Sequence, residues 1–215
     1  MDAKQGYLLV VEDIPDILNL LEATLKFKGY RVVTARNGVE ALEIIQKEEY
    51  PALIIADILM PKMDGFSLVH RLRIDPATRG IPVIFLSATY VTPEDKAFAL
   101  SLGATRFIEK PVDLTKFLPV IDRILSQGAA VPAEPLDEAA FYDGYRKRLE
   151  IKLAQKNTQI ARDERLLETL PEDERQTFRA SLQMAINERE EIQNLLSQIR
   201  EWQSKTTPGP KESNT

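Results

Sequence analysis

Glu12-Asp13, Asp57, Ser87 and Lys110-Pro111 each close a short apolar stretch of the chain. The third stretch is the plainest case, because the run 52–56 (ALIIA) climbs straight to the lone acid Asp57. A carboxylate at the end of an apolar strand costs free energy unless something pairs with it. Carboxylates crowded together also repel and raise one another's proton affinity. A divalent cation relieves that repulsion, and a lysine ammonium offsets more of it. A carboxylate oxygen held in such surroundings can attack a phosphoryl group whose equatorial oxygens the metal holds. Ser87 can then donate a hydrogen bond to the product phosphate. Each residue also has a plainer reading. Asp57 can cap a turn, Glu12-Asp13 can cap a helix ahead of Pro15, Ser87 can cap a loop, and Lys110 can be a solvated surface lysine.

The elements that would gather these residues are legible in the pattern. Strand-like runs at 7–13, 31–35, 52–57, 82–88 and 105–109 are short and rich in Val, Ile and Leu. They read as apolar on both faces, which suits a parallel sheet covered on both sides. Helix-period segments lie between and after them at 17–28, 38–47, 66–74, 94–102 and 114–125. Gly29 and Gly103 stand just past two of these, where helices commonly stop. Five β-α units predict an α/β domain, a doubly wound five-stranded parallel sheet with right-handed crossovers. In such a sheet the carboxyl ends of the strands share one edge, and sites form there. Pro119 falls inside the last helix pattern and predicts a kink or an irregular start.

The bulk numbers narrow the chemistry. The chain has 215 residues, no cysteine, one histidine and a formal net charge of −5. Disulfides, Cys/His zinc sites and a cysteine nucleophile are excluded. Any metal must be held by oxygen ligands, which points to magnesium or a similar hard ion such as manganese. The acidic balance disfavours a nucleic-acid or anionic-membrane surface. The N-terminal stretch lacks the basic region and apolar run of a signal peptide, and no apolar run reaches membrane-spanning length, so a cytoplasmic location is expected.

Past the fifth unit the composition changes. Residues 126–136 are small and proline-containing and read as a linker, which leaves 1–125 as the first domain. Residues 137–203 are dense in Glu, Arg, Gln and Lys, with Gly144 and Pro171 alone of their kinds. Tyr142, Leu149 and Leu170 share one seven-residue row, interrupted by Lys156 and Asp163, and Leu153, Ile160 and Leu167 form its neighbour. Phe178, Ala185, Ile192 and Ile199 form a further row, flanked by Leu182 and Leu196. These are a/d-like seams on two helices, an all-α antiparallel hairpin or coiled coil with helices at 137–169 and 171–203. Pro171 starts a helix well, and Thr169 with Glu172 has capping-box spacing. Residues 204–215 read as a disordered tail. The hairpin carries no histidine, no Gly-rich phosphate loop and no excess of basic residues, so neither catalysis nor DNA binding is expected of it. Two helices bury too little to stand alone, so a four-helix bundle across a homodimer, or a partner protein, is expected to cover them.

The ordered set of an acidic pair, an aspartate followed by MPKMDG, a serine and a KP resembles the receiver domain of two-component response regulators, over about residues 5–127. The resemblance implies that Asp57 is the phosphoacceptor and that Glu12, Asp13, Asp57 and the backbone carbonyl of Leu59 hold Mg²⁺. It implies that Lys110 contacts the phosphoryl group, that Ser87 shifts toward it on activation, and that Phe107 follows as the aromatic switch. Phe107 has no hydroxyl, so that switch would rest on packing. Leu59 and Thr89 stand where the family tunes dephosphorylation, and apolar Leu59 cannot orient a water, so self-hydrolysis is expected to be slow. The phosphoryl source would be a histidine kinase or phosphotransfer protein. The chain would be a signalling switch, with no turnover beyond its own phosphorylation and dephosphorylation. The alternative is a phosphorylation-independent structural adaptor built on a degenerate receiver, which the intact acidic set and Lys110 disfavour. A haloacid-dehalogenase-like phosphatase would need an acid where Leu59 stands. His70, the lone histidine, is read as a surface residue on the third helix.

Overall fold

Runs of four or five Leu, Val and Ile are too short for buried helices, and in the computed structural model they become the strands of one sheet. The structure describes residues 6–87, 93–127 and 135–206. The strands are β1 (Leu8–Val11), β2 (Val32–Ala35), β3 (Leu53–Asp57), β4 (Val83–Ser87) and β5 (Arg106–Glu109). Their order is β2-β1-β3-β4-β5, and every pair is parallel. The helices are α1 (Pro15–Phe27), α2 (Gly38–Lys47), α3 (Gly65–Ile74), α4 (Pro93–Ser101) and α5 (Leu114–Gln127), followed by α6 (Glu138–Thr169) and α7 (Glu172–Thr206). The chain divides into two compact units between Asp137 and Glu138. Among the described residues no helix is long and apolar enough to cross a membrane.

The period of two along the strands builds the layers of the first unit. Leu8 and Val10, Leu53 and Ile55, and Ile84 and Leu86 point to one face, against Leu18, Leu21 and Leu25 of α1 and Phe117, Ile121 and Ile124 of α5. On the other face the Phe66 ring of α3 stands edge-on to Phe85 of β4 and Phe98 of α4, at 5.3 and 5.2 Å. Each fully buried Leu, Ile or Phe contributes about 1.5–3 kcal/mol, so this core offsets a polar cluster at one sheet edge. The central strands are buried along their whole length, as expected. β5 is not, because it ends the sheet, and Arg106 and Glu109 are exposed.

One expectation is placed and another changes. Pro119 lies inside α5, which runs from Leu114 to Gln127. Pro119 and Thr115 both face solvent, so water can satisfy the carbonyl that the missing N–H leaves over. His70 is buried, at 3% exposure, and is not a surface residue. α3 is covered round most of its circumference, with Phe66, Leu68, Val69, Leu72 and Arg73 buried beside it. His70 Nε2 lies 3.2 Å from the Leu136 carbonyl oxygen. A carbonyl can only accept, so Nε2 carries the proton.

In the second unit α6 and α7 run antiparallel. Ile160 packs with Leu182 and Ala185, and Lys156, one turn earlier, pairs with Glu188, one turn later, at 2.5 Å. The other polar interruption of the seam, Asp163, is buried and accepts hydrogen bonds from Arg162 and Gln159. The expected capping box of Thr169 and Glu172 lies partly outside the described residues, which leave out the Glu172 side chain. Thr169 is still helical and its hydroxyl donates to the Leu166 carbonyl at 2.9 Å. Arg175 closes the turn, its Nε donating to the Leu170 carbonyl at 2.9 Å, where a cation meets the negative end of α6. α7 continues to Thr206, past the expected helix end at 203. Part of the expected linker, 128–134, and of the expected tail, 207–215, lies outside the described residues.

Candidate functional site

Strand order decides which side chains meet. β1 and β3 are neighbours, with Val11 opposite Ala56, so Glu12-Asp13 emerges beside Asp57. β4 and β5 are neighbours, with Ser87 opposite Glu109, so Lys110 emerges beside Ser87. The Lys110 amide donates to the Ser87 carbonyl at 2.6 Å. The Lys110 side chain then crosses the edge of the sheet toward β3 and β1. Its Nζ is 2.7 Å from Glu12 Oε2 and 3.1 Å from Asp57 Oδ2.

Glu12, Asp13 and Asp57 each offer an oxygen within 4.8 Å of the others. Glu12 is fully buried, Asp57 is 7% exposed, and Asp13 is half-buried. The Ile58 amide donates to Asp57 Oδ1 at 2.7 Å, and the Ile14 amide lies 3.4 Å from Glu12 Oε1. Three carboxylates thus face one ammonium, and the electrostatics show the imbalance. Burial pushes the proton affinity of Glu12 up, the Asp57 charge adds to it, and Lys110 pulls it back only in part. Burial raises Asp13 and Asp57 as well. Burial draws the Lys110 ammonium downward, but Asp57 and Glu12 overcome this and leave its proton held more tightly than usual. An all-oxygen, net-negative, partly dehydrated cluster fits a hard divalent cation.

Of the other sequence-predicted residues, Ser87 is buried at the end of β4, and Leu59 is half-buried just past Asp57. Phe107 is half-buried on β5 opposite Phe85. Thr89 lies outside the described residues. His70 sits on α3, in contact with Leu136.

The loop after Asp57 holds features that pattern reading missed. A Cβ on Gly65 would lie 2.3 Å from the Asp57 carbonyl oxygen, so only glycine fits there. The Gly65 amide donates to the Ile58 carbonyl at 2.8 Å, and Asp64 caps α3 by accepting from the Ser67 amide at 2.7 Å. Between them Lys62 adopts φ 65°, a left-handed backbone that costs a non-glycine residue about 1–2 kcal/mol. The Met63 amide closes this turn onto the Pro61 carbonyl at 2.8 Å. The MDG triplet was visible in the sequence, but the close approach that demands the glycine was not.

A family model for the response regulator receiver domain matches residues 8–122. α6 and α7 lie beyond that match. Among curated proteins, the response regulator PleD of Caulobacter vibrioides is 38% identical over 133 residues, which cover 57% of this chain and 29% of PleD. The transcriptional regulatory protein GlrR of Escherichia coli is 38% identical over 140 residues, 65% of this chain and 30% of GlrR. The chain therefore spans under a third of either relative's length. Among solved structures, the chemotaxis response regulator CheY4 of Vibrio cholerae is 34% identical, with a TM-score of 0.51, covering 55% of this chain and 98% of CheY4. The signal receiver domain of a signal transduction histidine kinase from Syntrophus aciditrophicus is 37% identical, with a TM-score of 0.53, covering 61% of this chain and 98% of that domain.

Proposed function

Because the chain belongs to the response regulator receiver domain family, we propose that it is the response regulator of a two-component phosphorelay and accepts a phosphoryl group on Asp57. One observation carries this reading. Asp57 stands in a mostly buried cluster with Glu12 and Asp13, and the Lys110 ammonium bridges Glu12 and Asp57. Glu12, Asp13, Asp57 and the Leu59 carbonyl are the residues that would hold Mg²⁺ or Mn²⁺. When bound, the cation supplies charge neutralisation for the oxygens of the transferring group.

The donor is a phosphohistidine of a kinase or phosphotransfer protein. An Asp57 carboxylate oxygen forms a bond to phosphorus as the donor's P–N bond breaks. The imidazole leaves with the bonding pair and takes a proton from solvent. Lys110 stands ready to pair with the phosphoryl oxygens in exchange for part of its contact with Asp57. Ser87 donates to one of those oxygens, and Phe107 follows the change by packing. Dephosphorylation is attack by water on the same phosphorus, releasing inorganic phosphate and restoring the carboxylate. Leu59 offers that water no hydrogen bond, so the phosphorylated state is long-lived, and Thr89 is the second residue that tunes it.

The output runs through α6 and α7, which dimerise or bind a partner protein. Buried side chains run along both helices, among them Phe141, Leu149 and Ile160 of α6 and Leu182, Ile192 and Leu196 of α7. A pair of helices alone ordinarily makes too small a core to stand by itself, so further cover is expected. Incubation with acetyl phosphate and Mg²⁺, read by intact mass beside Asp57→Ala, tests the receiver chemistry. A gain of one phosphoryl group in the parent alone supports it, and no gain even from a cognate kinase overturns it. Light scattering on the same samples reports whether the association state follows phosphorylation.

A further inference from the structure

The loop that leaves Asp57 is clasped from outside by the start of α2. The Gly38 amide donates to the Met63 carbonyl at 2.9 Å. Above Gly38 the Met63 side chain fills the space a Cβ would need. An added methyl would lie 2.6 Å from Met63 Cγ, 2.9 Å from Sδ and 2.9 Å from the backbone oxygen. Gly38 is fixed in turn by its own helix cap. Asn37 Oδ1 accepts from the Glu40 amide at 3.0 Å, and Glu40 Oε2 accepts from the Arg36 amide at 3.0 Å. Met63 is the residue after Lys62, whose left-handed backbone persists only if its surroundings hold it there. Both ends of the loop are therefore tied. The Gly65 amide holds the Ile58 carbonyl on the Asp57 side, and Gly38 holds Met63 on the outer side. Leu59 lies between these ties.

We propose that Gly38 and the turn from β2 into α2 are a positioning element for the cation site, setting the Leu59 carbonyl through Met63 without touching the cation. The inference rests on the receiver reading above. It assigns a role in the site to an element whose own side chains are absent from the acidic cluster. Outer partners that orient a metal ligand are typically worth about 10–100-fold in metal affinity. A side chain at position 38 cannot be absorbed by moving the Met63 thioether alone, because the Met63 backbone oxygen also stands in the way.

The first test uses the unmodified full chain and magnesium chloride. Amide hydrogen exchange at Gly38 should slow severalfold when Mg²⁺ binds, although Gly38 supplies no ligand. Unchanged exchange at Gly38, with Mg²⁺ binding seen by calorimetry, overturns the inference. The second test compares Gly38→Ala with Gly80→Ala. A Cβ at Gly80 meets open space, so that variant should bind Mg²⁺ as the parent does. Gly38→Ala should bind it at least about tenfold more weakly. Equal affinity in a folded Gly38→Ala overturns the inference, and if that variant does not fold, the exchange measurement decides. If the parent itself binds no Mg²⁺, the receiver reading fails, an outcome distinct from either of these.

Discussion

Lys110 and Glu12, 98 positions apart in the chain, meet with Nζ 2.7 Å from Oε2, and both side chains are nearly withdrawn from solvent. The contact joins the end of β5 to the end of β1, across β4 and β3, so one ammonium spans most of the sheet's carboxyl edge. The same ammonium reaches Asp57 at 3.1 Å. Three carboxylates still outnumber it, and the excess negative charge makes the metal-free cluster a strained one.

Removing one of those charges should stabilise the metal-free fold while damaging the site. Asp13 is the choice, because it is half-buried and burial already raises its proton affinity. Asp13→Asn should gain about 1 kcal/mol without Mg²⁺, a common scale for removing a functional strain. It should also lose most of the stabilisation that added Mg²⁺ confers on the parent. Thermal melts with and without Mg²⁺ measure both effects.

The same cluster sets a pH dependence of definite sign. Glu12, Asp13 and Asp57 all hold protons more tightly in the folded chain than free carboxyls do. A group raised in this way stabilises the fold below its ordinary value, about 4 for a carboxyl. That contribution is lost as pH climbs through the raised value. Without Mg²⁺, the melting midpoint should therefore rise as pH is lowered from neutral toward the ordinary carboxyl value of about 4. Mg²⁺ needs the deprotonated ligands, so its stabilising effect should be greatest at the high end of that window and fade at the low end. Midpoints that fell steadily with pH in metal-free buffer would contradict the electrostatics of the cluster. Lys110, also raised, adds stability that disappears only on the alkaline side, as pH passes its own elevated value.

Gly65→Ala should be far more damaging than an ordinary glycine-to-alanine change. The new Cβ would sit 2.3 Å from the Asp57 carbonyl oxygen and 3.1 Å from the Ile58 Cα. Forcing β3 and α3 apart there should cost roughly 3 kcal/mol and displace Asp57 itself. Chemical denaturation and acetyl phosphate labelling on the same sample would show both losses together. Gly80→Ala, beside open space, is the control and should lose neither.

In the hairpin, the Lys156–Glu188 pair should contribute little energy. Glu188 is 54% exposed, and such pairs are worth about 0–1 kcal/mol. Glu188→Ala should thus lower stability by less than about 1 kcal/mol. Lys156→Leu should raise it by about 1 kcal/mol or more, by replacing a desolvated charge in the seam with apolar surface. Far-ultraviolet circular dichroism melts of the full chain report the change. A loss of stability in Lys156→Leu would mean that the ammonium fixes the register of α6 against α7.

Much of the molecule was determined by local sequence. Short apolar runs alternating with helix-period segments specify a parallel sheet, because only such a sheet buries strands on both faces. Parallel strands end on one edge, so the acids after β1 and β3 and the lysine after β5 had to approach one another. What no local pattern contains is the set of contacts across crossovers. His70 is buried because α3 is covered on nearly every side, while periodicity states which faces a helix has and not what covers them. Arg175 reaches back from α7 to the Leu170 carbonyl, and Thr169 turns its hydroxyl back to Leu166, contacts that spacing alone does not state. Gly38 and Met63, 25 positions apart, meet only once α2 and α3 stand side by side. Composition and spacing decided which chemistry could assemble. The tertiary structure decided how tightly the loop that carries it is held, since close packing depends on distances between chain segments that sequence separation does not measure.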